Sequence, residues 1–463
     1  MTKRLQTLSP IDGSVYVERD LATAEEIQAV LELAVGAQRR WRTVPVAERV
    51  AIVRKAVAIF SSRESDLAIE LSWMMGRPIR FAAGEIKGFV ERATYMADIA
   101  EASLADLQLP AKEGFKRFIR REPLGVSLVI APWNFPYLTA VNAVVPALLA
   151  GNAVLLKHSA QTPLCSERMV AAFTEAGLPG GVFQFLHMDH ADTETLIQSP
   201  GLAHVAFTGS VGGGEKVEQA MAGRFLSSGL ELGGKDPAYV RADADLTHAV
   251  ETAMDGAFFN SGQSCCGIER IYVHDSVHDA FIEQAVALVN GYKLGRSDDP
   301  DTTLGPVVKP ESAAFIRSQI ADAISQGAKA LIDEAHFPMD EAGSAYLAPQ
   351  ILTDVNHGMR IMTEESFGPV VGIQRVSSDE EAIALMNDSE YGLTAAIFSQ
   401  DVDVALALAD QLQTGTVFLN RCDYLDPALA WTGVKHSGRG CTLSSVGYEH
   451  LTRPKSFHFK ILS

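Results

Sequence analysis

The N-terminal part of the chain spaces its apolar positions as helices do. Thr23-Ala24-Glu25-Glu26 has the form of a capping box. Ile27, Val30, Leu31, Ala34 and Val35 then recur on one helical face. A second helical pattern follows Pro45 and carries Val50, Val53, Val57 and Phe60. From Gly125 the pattern changes to compact apolar runs at 126–130, 153–156, 182–186 and 203–207, which predict buried strands. Helical stretches separate them at 142–150 and after Thr162-Pro163. Strands alternating with helices predict parallel βαβ units. The last run leads into Thr208-Gly209-Ser210-Val211-Gly212-Gly213-Gly214 and a helix from about Glu215. That is the strand–loop–helix order of a doubly wound nucleotide-binding half.

A second α/β half is predicted beyond Glu231. Its helices fall at 246–258, 278–292, 312–326, 379–386 and 402–411, and its strands at 271–274, 370–376, 395–398 and 416–419. Two charged, strand-like pieces, 115–121 and 455–461, lie outside both halves.

At 463 residues the chain exceeds a single ordinary core. Its 47% hydrophobic content marks a folded globular protein. The net charge of −18 repels phosphate backbones, which argues against a nucleic-acid partner. An anionic ligand would need a locally favourable site built from a helix N-terminus and a lysine. The five cysteines, Cys165, Cys265, Cys266, Cys422 and Cys441, are odd in number and widely spaced, unlike a disulfide framework. No Cys/His group has zinc-ligand spacing, so no metal is expected. The polar N-terminus lacks an apolar signal core, and no apolar run is long enough to span a bilayer. A reduced cytoplasmic protein is expected.

Three segments carry chemistry. Phe258-Phe259-Asn260-Ser261-Gly262-Gln263-Ser264-Cys265-Cys266 sets a thiol behind a turn of small residues. Leu230-Glu231-Leu232-Gly233-Gly234-Lys235 supplies a carboxylate, and Ala131-Pro132-Trp133-Asn134-Phe135-Pro136 an amide in a loop stiffened by prolines. Thiol nucleophile, carboxylate base and amide donor are the set that acyl-thioester chemistry needs. Singly each is ordinary, since a Cys in apolar surroundings is usually a small buried hydrophobe. In this order they resemble the aldehyde dehydrogenase superfamily, and the similarity runs nearly the full length, from Leu8 to Lys455.

The resemblance implies an α/β fold with a doubly wound, Rossmann-like cofactor domain (1–106 and 125–231) and an α/β catalytic domain (232–445). It also implies a small β oligomerisation element (107–124 and 446–463), and with it a homodimer or homotetramer. Cys265, one residue beyond Gln263-Ser264, is then the nucleophile rather than Cys266. A free thiol has a pKa of about 8.5, so a partly preformed thiolate is expected there. Asn134 and the Cys265 N–H would meet the oxyanion. Glu231 would activate the water that hydrolyses the thioester, with Gly233 and Gly234 leaving room for movement and close backbone approach. That Glu also separates hydrolytic members from those that release acyl-CoA.

The cofactor implied is NAD or NADP. Thr208, Gly209, Ser210 and Gly213 would hold its pyrophosphate. Lys157, with Ser159 and Ala160 beside it, would face the adenosine ribose, and His158 and Lys157 could face a 2′-phosphate. Glu365 would bind the nicotinamide ribose and Phe367 would flank the ring. Pro132, Trp133, Leu232 and Gly233 complete that site. The substrate, a small aldehyde, would sit among Phe135, Leu138, Asn142, Phe259, Ser264, Tyr424, Leu425 and Trp431.

Three departures from the family pattern stand out. Ala160 replaces a frequent Glu that binds ribose hydroxyls, which implies acceptance of both cofactors. Ala430-Trp431-Thr432-Gly433 replaces Pro-Phe-Gly-Gly at the substrate entrance. The N-terminal arm is shorter than in many members. Succinate-semialdehyde enzymes of the family commonly carry arginines where Asn142 and Phe259 stand, and betaine-aldehyde enzymes a Trp at Asn142. Neutral aliphatic or aromatic aldehydes are therefore expected, with Arg421 and Asp423 close by in sequence. A semialdehyde or aminoaldehyde specialist is the alternative.

Overall fold

The computed structural model describes residues 3–462. A six-stranded sheet is built around the parallel strands Val126–Ala131, Ala153–His158 and Leu202–Thr208. The first two are buried along their whole length, as strands covered on both faces must be, and so read as unbroken apolar runs. Phe183–Phe185 pairs beyond Ala153–His158 on one side. On the other, Ser227–Glu231 follows Leu202–Thr208, and Gly438–Arg439 closes that edge antiparallel. The connections run outward in opposite directions from Val126–Ala131. The switch point therefore lies between it and Leu202–Thr208, where open α/β sheets bind ligands beyond the carboxyl ends. Ala131, His158, Thr208 and Glu231 stand at those ends.

A seven-stranded sheet forms the second half, with Asp236–Val240, Ile268–His274 and Val370–Val376 parallel at its centre. A separate three-stranded ribbon joins Thr452–Lys460, Phe115–Pro123 and Leu107–Gln108. Most predicted elements are present. The helix Leu246–Phe258 and the strands Val370–Val376 and Thr416–Leu419 have the predicted ends. The Thr23 capping box closes on Glu26.

Two helices start earlier than their apolar pattern. Pro136–Ala150 begins six residues ahead of the predicted 142 because its first N–H groups are capped from far away in sequence. The Glu85 carboxylate accepts from Tyr137 N–H at 2.7 Å and Leu138 N–H at 3.3 Å. Val211–Met221 opens with three glycines of poor helix propensity, and Ser210 caps it by accepting from Gly213 N–H at 3.2 Å. The hairpin Arg4–Leu8/Val15–Asp20 and the long helix Ile79–Ser103 are elements the apolar pattern had not indicated.

Candidate active site

The segment before Cys265 is a wound turn. Asn260 and Ser261 adopt left-handed backbone angles, φ 53° and 56°, unusual for residues with a Cβ. Side-chain bonds hold them there. Ser261 Oγ donates to the Gly305 carbonyl at 2.7 Å, and Gln263 Oε1 accepts from Val308 N–H at 2.7 Å. Asn260 Nδ2 donates to the carbonyls of Asn134 and Gln263, both at 3.2 Å. Strain kept by over-determined contacts is a mark of a functional site.

The Asn134 loop is tied to the same turn. Asn134 is 4% exposed, and its Nδ2 donates to the Gln263 carbonyl at 3.2 Å, leaving its second N–H free. Arg77 donates from Nη2 to the Asn134 carbonyl at 2.6 Å and from Nε to Asn260 Oδ1 at 3.2 Å. Its Nη1 pairs with Glu85, the carboxylate that caps the helix beginning at Pro136. One buried ion pair therefore aligns the amide, the turn and the helix.

The third segment approaches more closely still. A Cβ on Gly234 would overlap the Cys265 carbonyl oxygen, and one on Gly233 would press on both Glu365 carboxylate oxygens. These glycines serve close approach, as expected of them. Glu365 Oε1 accepts from Gly234 N–H at 2.9 Å. Burial, with Glu269 close by, pushes the Glu365 carboxyl up to about 7. Glu269 fixes the segment by accepting from Ser366 N–H and Phe367 N–H, at 2.8 and 2.9 Å, and from Lys235 Nζ at 2.5 Å. Phe367 is held at φ 52° with its ring edge-on to Trp133, centroids 5.6 Å apart.

The outcome is one cleft at the switch point. Pro132, Trp133 and Asn134 line one wall and Thr208, Gly209 and Ser210 another, with Leu232, Gly233, Cys265, Glu365 and Phe367 completing it. A Cβ on Gly209 or Gly213 would lie 2.6 Å from the Phe207 ring, so only glycine lets this loop lie as it does. The helix Val211–Met221 starts at this loop, and the free N–H groups of a helix start suit an anion. Lys157 is 8% exposed and has no bonded partner among the described residues; burial lowers its pKa, and Asp189 acts the other way. Ser159 Oγ accepts from Gln161 N–H at 3.2 Å, and exposed Ala160 accepts at its carbonyl from Thr7. His158 follows Lys157 at the end of its strand. It is 4% exposed, and burial pushes its pKa down to about 3, so the ring is neutral.

Cys265 is half-buried, and its N–H donates to no acceptor among the described residues. Its thiol is pushed up in pKa by a hydrogen bond with Cys266, then by burial and by Asp236 and Glu231. All of these favour the protonated thiol over the thiolate that was expected. Buried Cys266 lies 3.5 Å from the Ser264 hydroxyl.

Glu231 lines an adjoining small cavity with Thr139, Ala143, Cys441 and Thr442; Thr208 lines both spaces. Thr442 Oγ1 donates to it at 2.6 Å and Thr208 Oγ1 at 3.1 Å. Burial raises the Glu231 pKa, and these hydroxyls and Arg92 oppose the rise. Removing the Thr442 hydroxyl in Thr442→Val takes a bond from the ionised form, so the Glu231 pKa should rise further. The limb of the pH–rate profile that reports this base should then move to higher pH; an unmoved profile would separate Thr442 from Glu231 function.

The aldehyde-side residues also converge. Phe135 and Phe259 stack at 6.5 Å, and Leu425 and Trp431 pack in the core cluster that Cys265 joins. Tyr424 Oη donates to Glu91 at 2.5 Å. Asn142 Oδ1 accepts from Arg92 Nη1 at 3.2 Å, and the Leu138 carbonyl accepts from the same Nη1 at 2.8 Å. Arg421 is exposed and lies over the Tyr424 ring at 3.7 Å. Burial, and then Asp255, push the Asp423 carboxyl up to about 7.

The aldehyde dehydrogenase family profile matches residues 1–457. The chain belongs to this family. It is 36% identical over 450 residues to a succinate-semialdehyde dehydrogenase [NADP(+)] of Deinococcus radiodurans, covering 97% of this chain and 93% of that one. Among solved structures it is similar to succinic semialdehyde dehydrogenase from Streptococcus pyogenes in complex with NADP+. There the TM-score is 0.94 at 29% identity, covering 98% of this chain and all of that one. It is also similar to NADP-dependent glyceraldehyde-3-phosphate dehydrogenase from Bacillus halodurans C-125 complexed with NADP. That TM-score is 0.93 at 32% identity, over 99% and 96% of the two chains. This aldehyde dehydrogenase has no helix long and apolar enough to cross a membrane, and no cluster of metal-binding side chains, among the described residues.

The motifs led to the cleft but not to what stands behind it. Arg77, Glu85 and Arg92 lie on or just before the helix Ile79–Ser103, and Lys235 and Glu269 under the Glu365 segment. One signal was available. Glu85 and Arg92 fall on the apolar stripe Ala82, Ile86, Phe89, Ala93 and Met96, and a charge in such a stripe needs a buried partner.

Proposed function

We propose that the chain oxidises an aldehyde to a carboxylic acid with NAD or NADP, through a thioester on Cys265. The supporting observation is the unpaired Cys265 N–H beside the free donor of Asn134, in the cleft that also carries the nucleotide cradle. Cys265 Sγ bonds to the carbonyl carbon and its proton leaves. Glu231, whose charge bears on the thiol, would take that proton and pass it on to solvent before the next step. The oxygen becomes an oxyanion held by the Cys265 N–H and Asn134 Nδ2; losing one such donor costs about 10²–10³ in rate. When bound, the nicotinamide supplies the hydride acceptor, and the carbon left on sulfur is a thioester. Glu231 then takes a proton from water as its oxygen adds to that carbon. The C–S bond breaks, sulfur regains a proton, and the acid leaves.

For the cofactor, the cradle of Thr208, Gly209, Ser210 and Gly213 suits a pyrophosphate, with Lys157 as the cation. Glu365 suits the ribose hydroxyls and Phe367 the ring. Residues 1–106 and 125–231 then form the cofactor domain and 232–445 the catalytic domain. The ribbon of 107–124 and 446–463 would join copies into a dimer or tetramer. Its strand Thr452–Lys460 has an unpaired outer edge, and Phe459, Ile461 and Leu462 beyond it are exposed. The five free cysteines suit a reducing cytoplasm.

A panel of aldehydes with each cofactor, followed by nicotinamide absorbance, tests the reading; reduction with none of them would overturn it. Both cofactors should be accepted, since Ala160 neither bonds ribose hydroxyls nor repels a 2′-phosphate. Each missing hydrogen bond is worth roughly 0.5–1.5 kcal/mol, so NAD binding weakens without vanishing. Ala160→Glu should shift preference toward NAD, chiefly by raising the KM for NADP. An unchanged ratio of the two kcat/KM values would refute this.

A further inference from the structure

We propose that Arg92 anchors a carboxylate on the substrate, so that this enzyme acts on short aldehydes with a terminal carboxylate. The proposal rests on the aldehyde-oxidising reading of the site and names its substrate class. Arg92 is 8% exposed, on the face of Ile79–Ser103 that packs against the helix Pro136–Ala150. Its Nη1 is fully used, by the Leu138 carbonyl and Asn142 Oδ1. Its Nε and Nη2 bond to nothing among the described residues. Neither is among the fully enclosed atoms left without a partner, so each keeps some accessible surface.

Those two atoms form the edge of a guanidinium that receives a carboxylate in two parallel hydrogen bonds. No protein carboxylate takes it. Glu85 is committed to Arg77 and to two backbone N–H groups, Glu91 to Tyr424, and Glu231 to Thr208 and Thr442. A buried guanidinium without a counterion is costly, and a structural role toward two carbonyl oxygens needs only one nitrogen.

The location suits a substrate. Leu138 and Asn142 lie in the first two turns of the helix that starts just after Asn134. The Arg92 charge is felt at Glu231 and Cys266, so the anchor stands near the reacting centre. Phe135, Phe259, Leu425 and Trp431 offer it no charge, and Arg421 is engaged on the Tyr424 ring outside. A neutral aldehyde would leave the fork empty. The expectation of neutral substrates weighed positions 142 and 259, with Arg421 and Asp423; this cation comes instead from a neighbouring helix and bonds to Asn142. Succinate semialdehyde and glyceraldehyde 3-phosphate, named for two of the relatives, are both anionic aldehydes.

The test compares kcat/KM for 4-oxobutanoate with that for butanal, in the native enzyme and in Arg92→Met and Arg92→Lys. The native enzyme should favour 4-oxobutanoate. Arg92→Met should lower the ratio about 10- to 100-fold, chiefly through KM, as loss of hydrogen bonds to a charged group does. Arg92→Lys should restore part of it. A ratio that stays constant while both rates fall together would assign Arg92 to helix packing and overturn the proposal. So would a native preference for butanal. Should Arg92→Met fail to fold by circular dichroism, inhibition of the native enzyme decides. Succinate should inhibit at least about tenfold more tightly than butanoate, and equal inhibition would refute the anchor. Failure to oxidise any aldehyde with either cofactor would instead bring down the reading of the site itself.

Discussion

Cys265→Ala should abolish both aldehyde oxidation and ester hydrolysis, a loss on the order of 10⁴-fold or more, as when a covalent nucleophile is removed elsewhere. Both activities need the acyl group on one sulfur. Cys266→Ala should keep most of the activity. The two thiols are free and adjacent in sequence, so chain position alone does not separate them. Surroundings do. Cys265 lines the cleft with Asn134, Glu365 and Phe367, whereas Cys266 is 6% exposed and packed in the core beside the Ser264 hydroxyl. Cys266→Ala should also lower the Cys265 pKa, because the Cys266 hydrogen bond is the largest cause of its rise. Alkylation by iodoacetamide below pH 8 should then be faster in that variant than in the native enzyme. Activity surviving in Cys265→Ala and lost in Cys266→Ala would place the nucleophile one residue on.

Legibility followed the range of the interactions. The strand Val370–Val376 and the helix Leu246–Phe258 were readable to the residue, because burial on both faces or an Asp245 cap is written locally. The three chemical segments were readable because each is contiguous. What was hidden is non-local. The start of the helix at Pro136 depends on Glu85, and the alignment of Asn134 with the Cys265 turn depends on Arg77. The Glu365 segment hangs on Glu269. None of these partners carries a motif of its own. The thiol of Cys265 is a further case: Cys266, burial, Asp236 and Glu231 act on it, and of these groups only Cys266 adjoins it in sequence.

The fold also explains why glycines follow Glu231. The strand Ser227–Glu231 ends one strand in from the edge of one sheet, and Asp236–Val240 begins near the centre of the other. The four residues between must pass directly under the Cys265 carbonyl and the Glu365 carboxylate. That crossing brings Glu231, Cys265 and Glu365 together on one short path, with the small cavity on the Glu231 side.

Glu231→Gln should leave acylation faster than deacylation, so that reduced nicotinamide appears as a burst of about one per active site, followed by a slow phase. A general base is worth about 10²–10⁴ in rate, and the slow phase should fall by that order. Gln keeps the shape, and its amide oxygen can still accept from Thr208 or Thr442, so the loss would report basicity rather than packing. The pH dependence should follow. In the native enzyme the rate of deacylation rises as Glu231 loses its proton, at a pH above the ordinary carboxylate range because burial raises its pKa. Glutamine has no such proton, and that limb should disappear. An aldehyde deuterated at C1 separates the steps: hydride loss from that carbon should show an isotope effect in the burst and none in the slow phase. A slow phase that carries the full isotope effect, without a burst, would mean that Glu231 serves the thiol's deprotonation alone. Thioester hydrolysis would then need another base; burial pushes the Cys441 thiol of the same cavity up to about 11, which leaves the imidazoles of His204 and His450 that also line it.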